Sequence, residues 1–304
     1  MTIIDFIKEN KLISPGQRVL CAVSGGADSM CLLHYLSENA HRLGISVCAA
    51  SFDHMLRGEE SASDCRFVAD WCSKHGIECL TGSGDVRRRA ELEGMSEEEA
   101  ARASRYEFLE NAAEKLGCSV IATAHNANDN AETMLFNLTR GGGLKGLCGI
   151  PPKRGNIVRP VIDFSREELR NILRENGVPW RDDFTNDESD YRRNKVRNIL
   201  IPWIKENLNP GFENVMLGLA KQVGAEVEAR ERTARREIAK IALRLPPALA
   251  AWRTDGLGEL PELTLAEMLR LQGAELSLPA LSRARTNELV GLVRRGGCWR
   301  FQWA

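Results

Sequence analysis

Through roughly the first two hundred residues, short apolar runs alternate with longer stretches whose apolar positions recur every three or four residues. The run 19–23 reads as a buried strand, and the stretch after it, with Leu32, Leu33 and Leu36 on one side, as a helix. The same alternation predicts a strand over 45–52, a helix over 61–75 stopped by Gly76, and a strand over 77–80. Segment 82–94 is polar and bounded by glycines, which predicts a mobile surface loop. Ser96 followed by Glu99 has capping-box spacing and opens a helix that runs to Gly117. Residues 118–124, apolar on both faces, predict a fourth strand, 157–161 an edge strand, and 165–176 a helix capped by Ser165 with Glu168. Strands separated by helices predict an α/β fold with a doubly wound, mostly parallel sheet.

Farther on the strand signals fade. Pro202 predicts a break, Asn209-Pro210-Gly211 a turn, and 212–245 one long charged helix. Pro246-Pro247 marks a boundary, beyond which Leu265, Met268, Leu269, Leu289 and Leu292 recur at helical spacing; the tail 298–303 reads as a strand. The organisation expected is therefore an α/β domain over 1–211, a connecting helix over 212–245 and a small, mainly helical domain over 246–304.

Composition adds exclusions. The chain of 304 residues is 43% hydrophobic and 27% charged, which suits a water-soluble globular protein with a real core. It contains no apolar run long enough to span a bilayer, so no membrane partner is expected. Residues 1–9 form an amphipathic stretch carrying acids, unlike the apolar core of a signal peptide. Nine cysteines without a Cys-x-x-Cys pair argue for reduced thiols and a cytoplasmic location. A net charge of −1 gives no overall attraction to nucleic acid. Any RNA contact must use local clusters such as Arg87-Arg88-Arg89 or Arg192, Arg193, Lys195 and Arg197; the arginines of 230–236 are interleaved with glutamates.

The candidate chemistry lies where predicted strands end. Ser24-Gly25-Gly26-Ala27-Asp28-Ser29 follows the first strand and opens a helix. Unpaired helix N–H groups, close-approach glycines and two serine hydroxyls form a cradle for an anion, and Asp28 suits a Mg²⁺ ion beside it. No Gly-Lys-Ser/Thr follows, so this is not a Walker loop, and it lacks the Gly-x-Gly-x-x-Gly of dinucleotide sites. Asp53-His54 closes the second strand. Arg102 and Arg105 stand three apart on one helix, and His125, Asp129 and Glu132 make a stripe where the fourth strand meets its helix. That stripe admits three readings: a metal site, acids complementing a helix dipole, or two carboxylates that hold and deprotonate an amine. Arg140 precedes Gly141-Gly142-Gly143, a turn suited to closing over substrate.

Ser-Gly-Gly alone is an ordinary turn; the full Ser-Gly-Gly-x-Asp-Ser resembles the pyrophosphate (PP) loop of the N-type ATP pyrophosphatases, with their adenine nucleotide alpha hydrolase-like fold. Taken with Asp53-His54 and Leu56-Arg57, Ala101-Arg102 and Arg105-Tyr106, His125 with Asp129 and Glu132-Thr133, Arg140-Gly141 with Gly146-Leu147, and Asp183, Asn186, Tyr191, Arg193-Asn194 and Arg197, the sequence resembles the bacterial tRNA(Ile)-lysidine synthases. Phe184-Thr185 departs from the family's small Pro-Ser step there, and a further C-terminal domain of longer members has no counterpart in the sequence. The resemblance implies ATP and Mg²⁺ as cofactors, L-lysine and a tRNA(Ile) with a CAU anticodon as substrates, and leaves a homodimer open. It implies adenylation of O2 of the wobble cytidine, displacement of AMP by the lysine ε-amine, and a tRNA-contacting role for 246–304. Ser24, Gly25, Gly26, Asp28 and Ser29 would hold phosphates and the metal, with Asp53 and His54 bordering the nucleotide. Asp129 and Glu132 would bind the amine, one as base. Arg105 and Arg193, with Arg102, His125, Arg140 and Arg197, would meet RNA phosphates or adenylate charge. A tRNA thiolase, an ammonia-using small-molecule synthetase and a non-catalytic nucleotide sensor are the competing expectations; the missing cysteine pair, the missing glutaminase domain and the acidic stripe respectively count against them.

Overall fold

The computed structural model describes residues 1–56, 58–181, 194–246, 248–297 and 300–303. It divides into two compact units, Met1–Ala220 and Lys221–Ala304.

The first unit is built on a six-stranded sheet. After α1 (Ile3–Glu9) come β1 (Arg18–Ala22), α2 (Ala27–Glu38) with the short α3 (Ala40–Leu43), β2 (Ser46–Asp53), α4 (Glu59–Lys74) and β3 (Glu78–Ser83). Then follow α5 (Val86–Glu93), α6 (Glu97–Lys115), β4 (Val120–Ala122), α7 (Ala127–Thr139), the short α8 (Leu144–Leu147), β5 (Lys153–Arg154), β6 (Ile157–Val158) and α9 (Arg166–Glu175). The strand order is β3-β2-β1-β4-β6-β5, parallel throughout except for the β5–β6 pair. Because the chain moves outward from β1 in one direction and later from β4 in the other, the loops after β1 and β4 diverge and leave a crevice at the strands' carboxyl ends.

Side chains alternate across the sheet as the pleat requires. Val19 and Cys21 of β1 join Leu32, Leu33 and Leu36 of α2, Trp71 of α4 and Leu169 and Leu173 of α9 in one core. Leu20 of β1 and Ile121 of β4 face the other way, against Leu109, Ala112 and Ala113 of α6. Both faces are thus covered, which is why the strands read as continuous apolar runs. Leu32, Leu33 and Leu36 are fully buried, each contributing about 1.5–3 kcal/mol by transfer from water.

Segment 82–94 is not a loop. Asp85 caps α5 by accepting from Arg88 N, Gly94 ends it in the left-handed conformation, and Val86 and Ala90 are buried against Ala100. Two apolar residues four apart were the helical signal, masked by the arginines and glutamates around them. The fourth strand is shorter than its apolar run; at its start Cys118 N–H closes the turn from α6 on Ala113 O.

Pro202 acts as a shaper of the backbone. A π-helical turn, Val196–Leu200, precedes α10 (Ile201–Asn207), and Ile201 N–H donates to the Val196 carbonyl five residues back. Proline at the start of α10 supplies no N–H and crowds the preceding turn, and the wider π turn accommodates both. Val196 and Ile201 pack on Ala131, Met134 and Leu135 of α7, so this turn is held beside the acidic stripe.

The long helix α11 runs Phe212–Ile241, its residues to Ala220 counted in the first unit and the rest in the second. In the second unit a two-stranded ribbon absent from the sequence reading, β7 (Ala242–Leu243) and β8 (Ala251–Trp252), is followed by α12 (Glu262–Glu275) and α13 (Arg283–Arg295). Leu265, Met268, Leu269, Leu289 and Val290 form its core. The tail is not a strand among its described residues, 300–303; there Trp303 lies over Gly273, where any side chain would collide with the indole.

Candidate active site at the divergence of β1 and β4

The loop after β1 is tightly organised. Gly25 adopts φ +88°, a conformation that penalises any side chain, and Gly26 caps α2 without a side-chain hydrogen bond. The first closed turn of α2 is Met30 N to Gly26 O at 3.0 Å, so the N–H groups of Ala27, Asp28 and Ser29 have no intrahelical acceptor. Ser29 Oγ donates to Gly26 O at 2.9 Å and accepts from Ser24 N at 3.1 Å, with the two serine hydroxyls 3.2 Å apart. Arg181 N donates to Gly25 O at 3.0 Å while its guanidinium pairs with Asp64 at 2.7 Å, pinning the loop from outside. A cradle of helix N–H groups and hydroxyls in a loop this constrained fits a polyphosphate. Asp53 and His54 lie at the end of the adjacent β2; Asp53 Oδ1 accepts from Met55 N at 2.7 Å, and His54 meets the Phe52 ring edge-on at 5.0 Å.

Across the crevice, α7 begins at Asn126, which is fully buried and forms a capping box with Asp129. Asn126 Nδ2 also donates to Asp28 Oδ2 at 2.9 Å, joining the phosphate cradle to the acidic stripe. Asp129 and Glu132 come together as their spacing predicts, but neither is a bare carboxylate. Arg197 grips Glu132 with two contacts, Nε to Oε1 at 2.8 Å and Nη2 to Oε2 at 2.9 Å, and reaches Asp129 Oδ1 at 3.3 Å. Arg166 Nη2 lies 2.7 Å from Asp129 Oδ1 and 3.5 Å from Glu132 Oε1, with its Nε 3.8 Å from Asp28. Among the described residues, these three acids and two arginines form one network. Burial works against the Arg197 charge, but Glu132 and Asp129 outweigh it and its pKa is raised.

The structure therefore places Arg197 on the acids rather than on a basic helix face, and it adds Arg166, which the sequence reading missed. The capping box of Ser165 and Glu168 fixes Arg166 at the first position of α9, where its backbone N–H donates to Asn128 Oδ1 at 3.0 Å. Only the tertiary return of α9 to α7 reveals the pairing. Arg193 lies outside the described residues. Arg140 caps the far end of α7, about 16 Å along the helix from Asp129, exposed and stacked over Phe136 at 5.3 Å. It is not brought to the acids. The glycine segment after it is tied to α7 by Asn137, which accepts from Gly142 N at 2.7 Å and donates to Gly146 O at 3.0 Å.

Burial pushes the Asp28 carboxyl up to about 6; Arg166 and the Asn126 amide pull it back and Asp129 adds to the rise. A carboxylate so short of counter-charge, beside a phosphate cradle, fits a Mg²⁺ ion that also takes phosphate and water oxygens. Among the described residues no cluster of three or more His, Cys, Asp or Glu side chains forms an all-protein metal site. His125 sits behind Asp129 with Nδ1 3.0 Å from Thr123 Oγ1. Burial lowers its pKa to about 4, Asp129 opposes the shift and Arg159, Arg105 and Arg102 reinforce it, so the imidazole is neutral at pH 7. Arg102 and Arg105 flank the Tyr106 ring at 5.1 and 5.5 Å. No helix of the described residues is long and apolar enough to cross a membrane, and their cysteines are all free thiols.

Residues 2–204 match the family model of the PP-loop domain. The chain is 40% identical over 243 residues to a tRNA(Ile)-lysidine synthase from Clostridium perfringens, covering 80% of this chain and 52% of that relative. A tRNA(Ile)-lysidine synthase from Chlorobaculum tepidum is 34% identical over 292 residues, covering 95% of this chain and 87% of the relative. The chain spans about half the length of most of the curated relatives it matches. Among solved structures, the U34-tRNA thiolase NcsA from Methanococcus maripaludis shares the fold, with TM-score 0.58 and 17% identity over 73% of this chain and 77% of its own. The chain, with its constrained loop after β1 facing paired acids across the crevice, belongs to the PP-loop family and, within it, to the tRNA(Ile)-lysidine synthases.

Proposed function

We propose that the protein ligates L-lysine to C2 of the wobble cytidine of a tRNA(Ile) with a CAU anticodon, consuming ATP and releasing AMP and pyrophosphate. The observation that supports this reading is the Asn126–Asp28 hydrogen bond of 2.9 Å, which ties the loop after β1 to the Asp129–Glu132 pair within one crevice.

The chemistry falls into two displacements. Cytidine O2 attacks the α-phosphorus of ATP, the bond to the bridging oxygen of the β-phosphate breaks, and pyrophosphate leaves. The lysine ε-nitrogen then attacks C2, the C2–O2 bond breaks, AMP departs with that oxygen, and the nitrogen gives up its protons. Ser24, Ser29 and the open N–H groups of α2 hold the phosphates, with Asp53 and His54 beside the nucleotide. Asp28 is the residue that would hold Mg²⁺, which when bound would offset charge on the phosphates.

Asp129 and Glu132 receive the amine. Near pH 7 deprotonating an unperturbed lysine costs about 4.6 kcal/mol. Acids alone would favour the ammonium, whereas the neighbouring Arg166 and Arg197 charges favour the free amine. One acid accepting the proton while the arginines hold both in place makes amine binding compatible with attack. The site is drawn from a single chain, so this assignment is the same for a monomer or a homodimer. The segment 246–304 is assigned to contacts with the tRNA body.

The test is incubation with ATP, radiolabelled lysine and a CAU-anticodon tRNA(Ile) transcript. Label should enter RNA in step with AMP and pyrophosphate. Formation of ADP and orthophosphate, or labelling without ATP, would end this reading. Glu132→Ala should abolish labelling and leave ATP binding unchanged.

A further inference from the structure

Arg159 immediately follows β6 and is only 4% exposed, yet it was singled out by no motif. Its Nη1 donates to Pro151 O at 2.6 Å, but its Nε–H has no hydrogen-bond partner. The buried Tyr106 hydroxyl lies beside the Arg105 and Arg159 guanidiniums, which are donors only, so its own proton has no acceptor. Tyr106 is near enough to Arg159 and Arg105 to ease the charge of each, while burial pulls both guanidiniums below their ordinary pKa. Among the described residues no carboxylate pairs with Arg102, Arg105, Arg154 or Arg159. The contrast with Arg166 and Arg197, both held by acids, is sharp. Burying an arginine without an anion is costly, and a buried N–H and O–H without acceptors add to the cost. The exposure also grades: Arg102 is exposed, Arg105 half-buried, Arg159 buried, so cations lead from the surface inward. His125, neutral and adjacent, joins this cluster to the acids of the proposed site.

We propose that Arg159, Arg105 and the Tyr106 hydroxyl form an oxyanion-binding site for a phosphate group, with Arg102 at its mouth. Phosphate oxygens are acceptors only, and supply partners for the guanidinium N–H groups and the phenol together. The phosphate comes from one of two sources: a backbone phosphodiester of the RNA substrate, or the pyrophosphate released from ATP. The proposal rests on the function proposed above for the choice of these ligands.

The experiment titrates a CAU-anticodon tRNA transcript and, separately, sodium pyrophosphate into the full chain. Wild type, Arg159→Gln, Arg159→Lys and Tyr106→Phe are compared over a range of salt. For an RNA phosphate, Arg159→Gln weakens the transcript about tenfold or more and lowers the slope of log K against log salt by about one unit. Arg159→Lys recovers the slope, since the charge is restored, and Tyr106→Phe weakens binding about tenfold with the slope unchanged. Equivalent losses confined to pyrophosphate assign the site to the leaving group instead. Wild-type affinity and slope for both ligands in Arg159→Gln and Tyr106→Phe overturn the proposal. Should Arg159→Gln not fold, Tyr106→Phe, which removes one hydroxyl, decides alone. Lysine incorporation by the wild-type chain reports separately on the function: labelled RNA with no binding defect rejects only this site, and an unlabelled product with a clear defect rejects only the ligation.

Discussion

Replacing Arg197 by methionine isolates the energetics of the acidic network. The substitution keeps most of the side-chain volume and removes the charge. Glu132, only 1% exposed, loses both of its short contacts to Arg197 and keeps its contact with Arg166 at 3.5 Å. Breaking a buried ion pair from one side costs about 3–5 kcal/mol, because the surviving charge stays desolvated. The remaining Arg166 contact places the expected loss at the lower end, about 3 kcal/mol. In the Arg197→Met background, Glu132→Gln removes the stranded charge and should recover most of that loss, so the double variant is more stable than the single one. Urea denaturation of the four proteins, followed by circular dichroism with the m-value held as a check, measures the cycle. An Arg197→Met protein within about 0.5 kcal/mol of wild type, or a double variant less stable than Arg197→Met, would refute the view that the arginine neutralises a buried acid.

Asp28→Asn should stabilise the free protein above pH 6. The folded carboxyl holds its proton up to about 6 against an ordinary aspartate value of 3.8, so wild-type stability falls as pH rises between those values. At pH 7 the variant should gain up to about 3 kcal/mol, with no difference at pH 3.5; an unchanged difference across denaturation curves at both pH values would count against it. The same variant should lose Mg²⁺-dependent ATP turnover, read as pyrophosphate release. His125 should titrate near 4 by NMR, and a midpoint close to 6.5 would deny its burial among arginines. Gly149→Ala should cost about 1–3 kcal/mol in urea denaturation, since Gly149 has φ +67° and an added Cβ would strike Asn130 Oδ1, the acceptor of Ile150 N–H.

Much of the sheet could be read from the chain because its strands are buried on both faces and its helices announce themselves with caps. Ser96 with Glu99 and Ser165 with Glu168 form the capping boxes their spacing predicts. The loop after β1 and the Asp129–Glu132 stripe were visible for the same reason: neighbours in sequence are neighbours in space. Helix α5 was missed because its two core residues sit among charged ones. Arg166 and Arg159 were missed because nothing local distinguishes an arginine that meets acids from one that meets solvent; only the return of α9 and the end of β6 bring them inward. Arg140, whose glycine-rich neighbourhood suggested a substrate loop, caps the remote end of α7 and does not join the acids.

Asn126 carries a wider consequence. Its carbonyl oxygen takes Asp129 N–H, its own backbone N–H is taken by the Asp129 carboxylate, and its amide nitrogen is spent on Asp28. Through these bonds the segment proposed to receive the triphosphate and the segment proposed to receive the amino acid are geared together like two wheels on one pin. On the proposed function, a shift of Asp28 on nucleotide arrival would be passed to the start of α7 or break that pin, so occupancy of one half of the crevice would be communicated to the other through a single uncharged side chain.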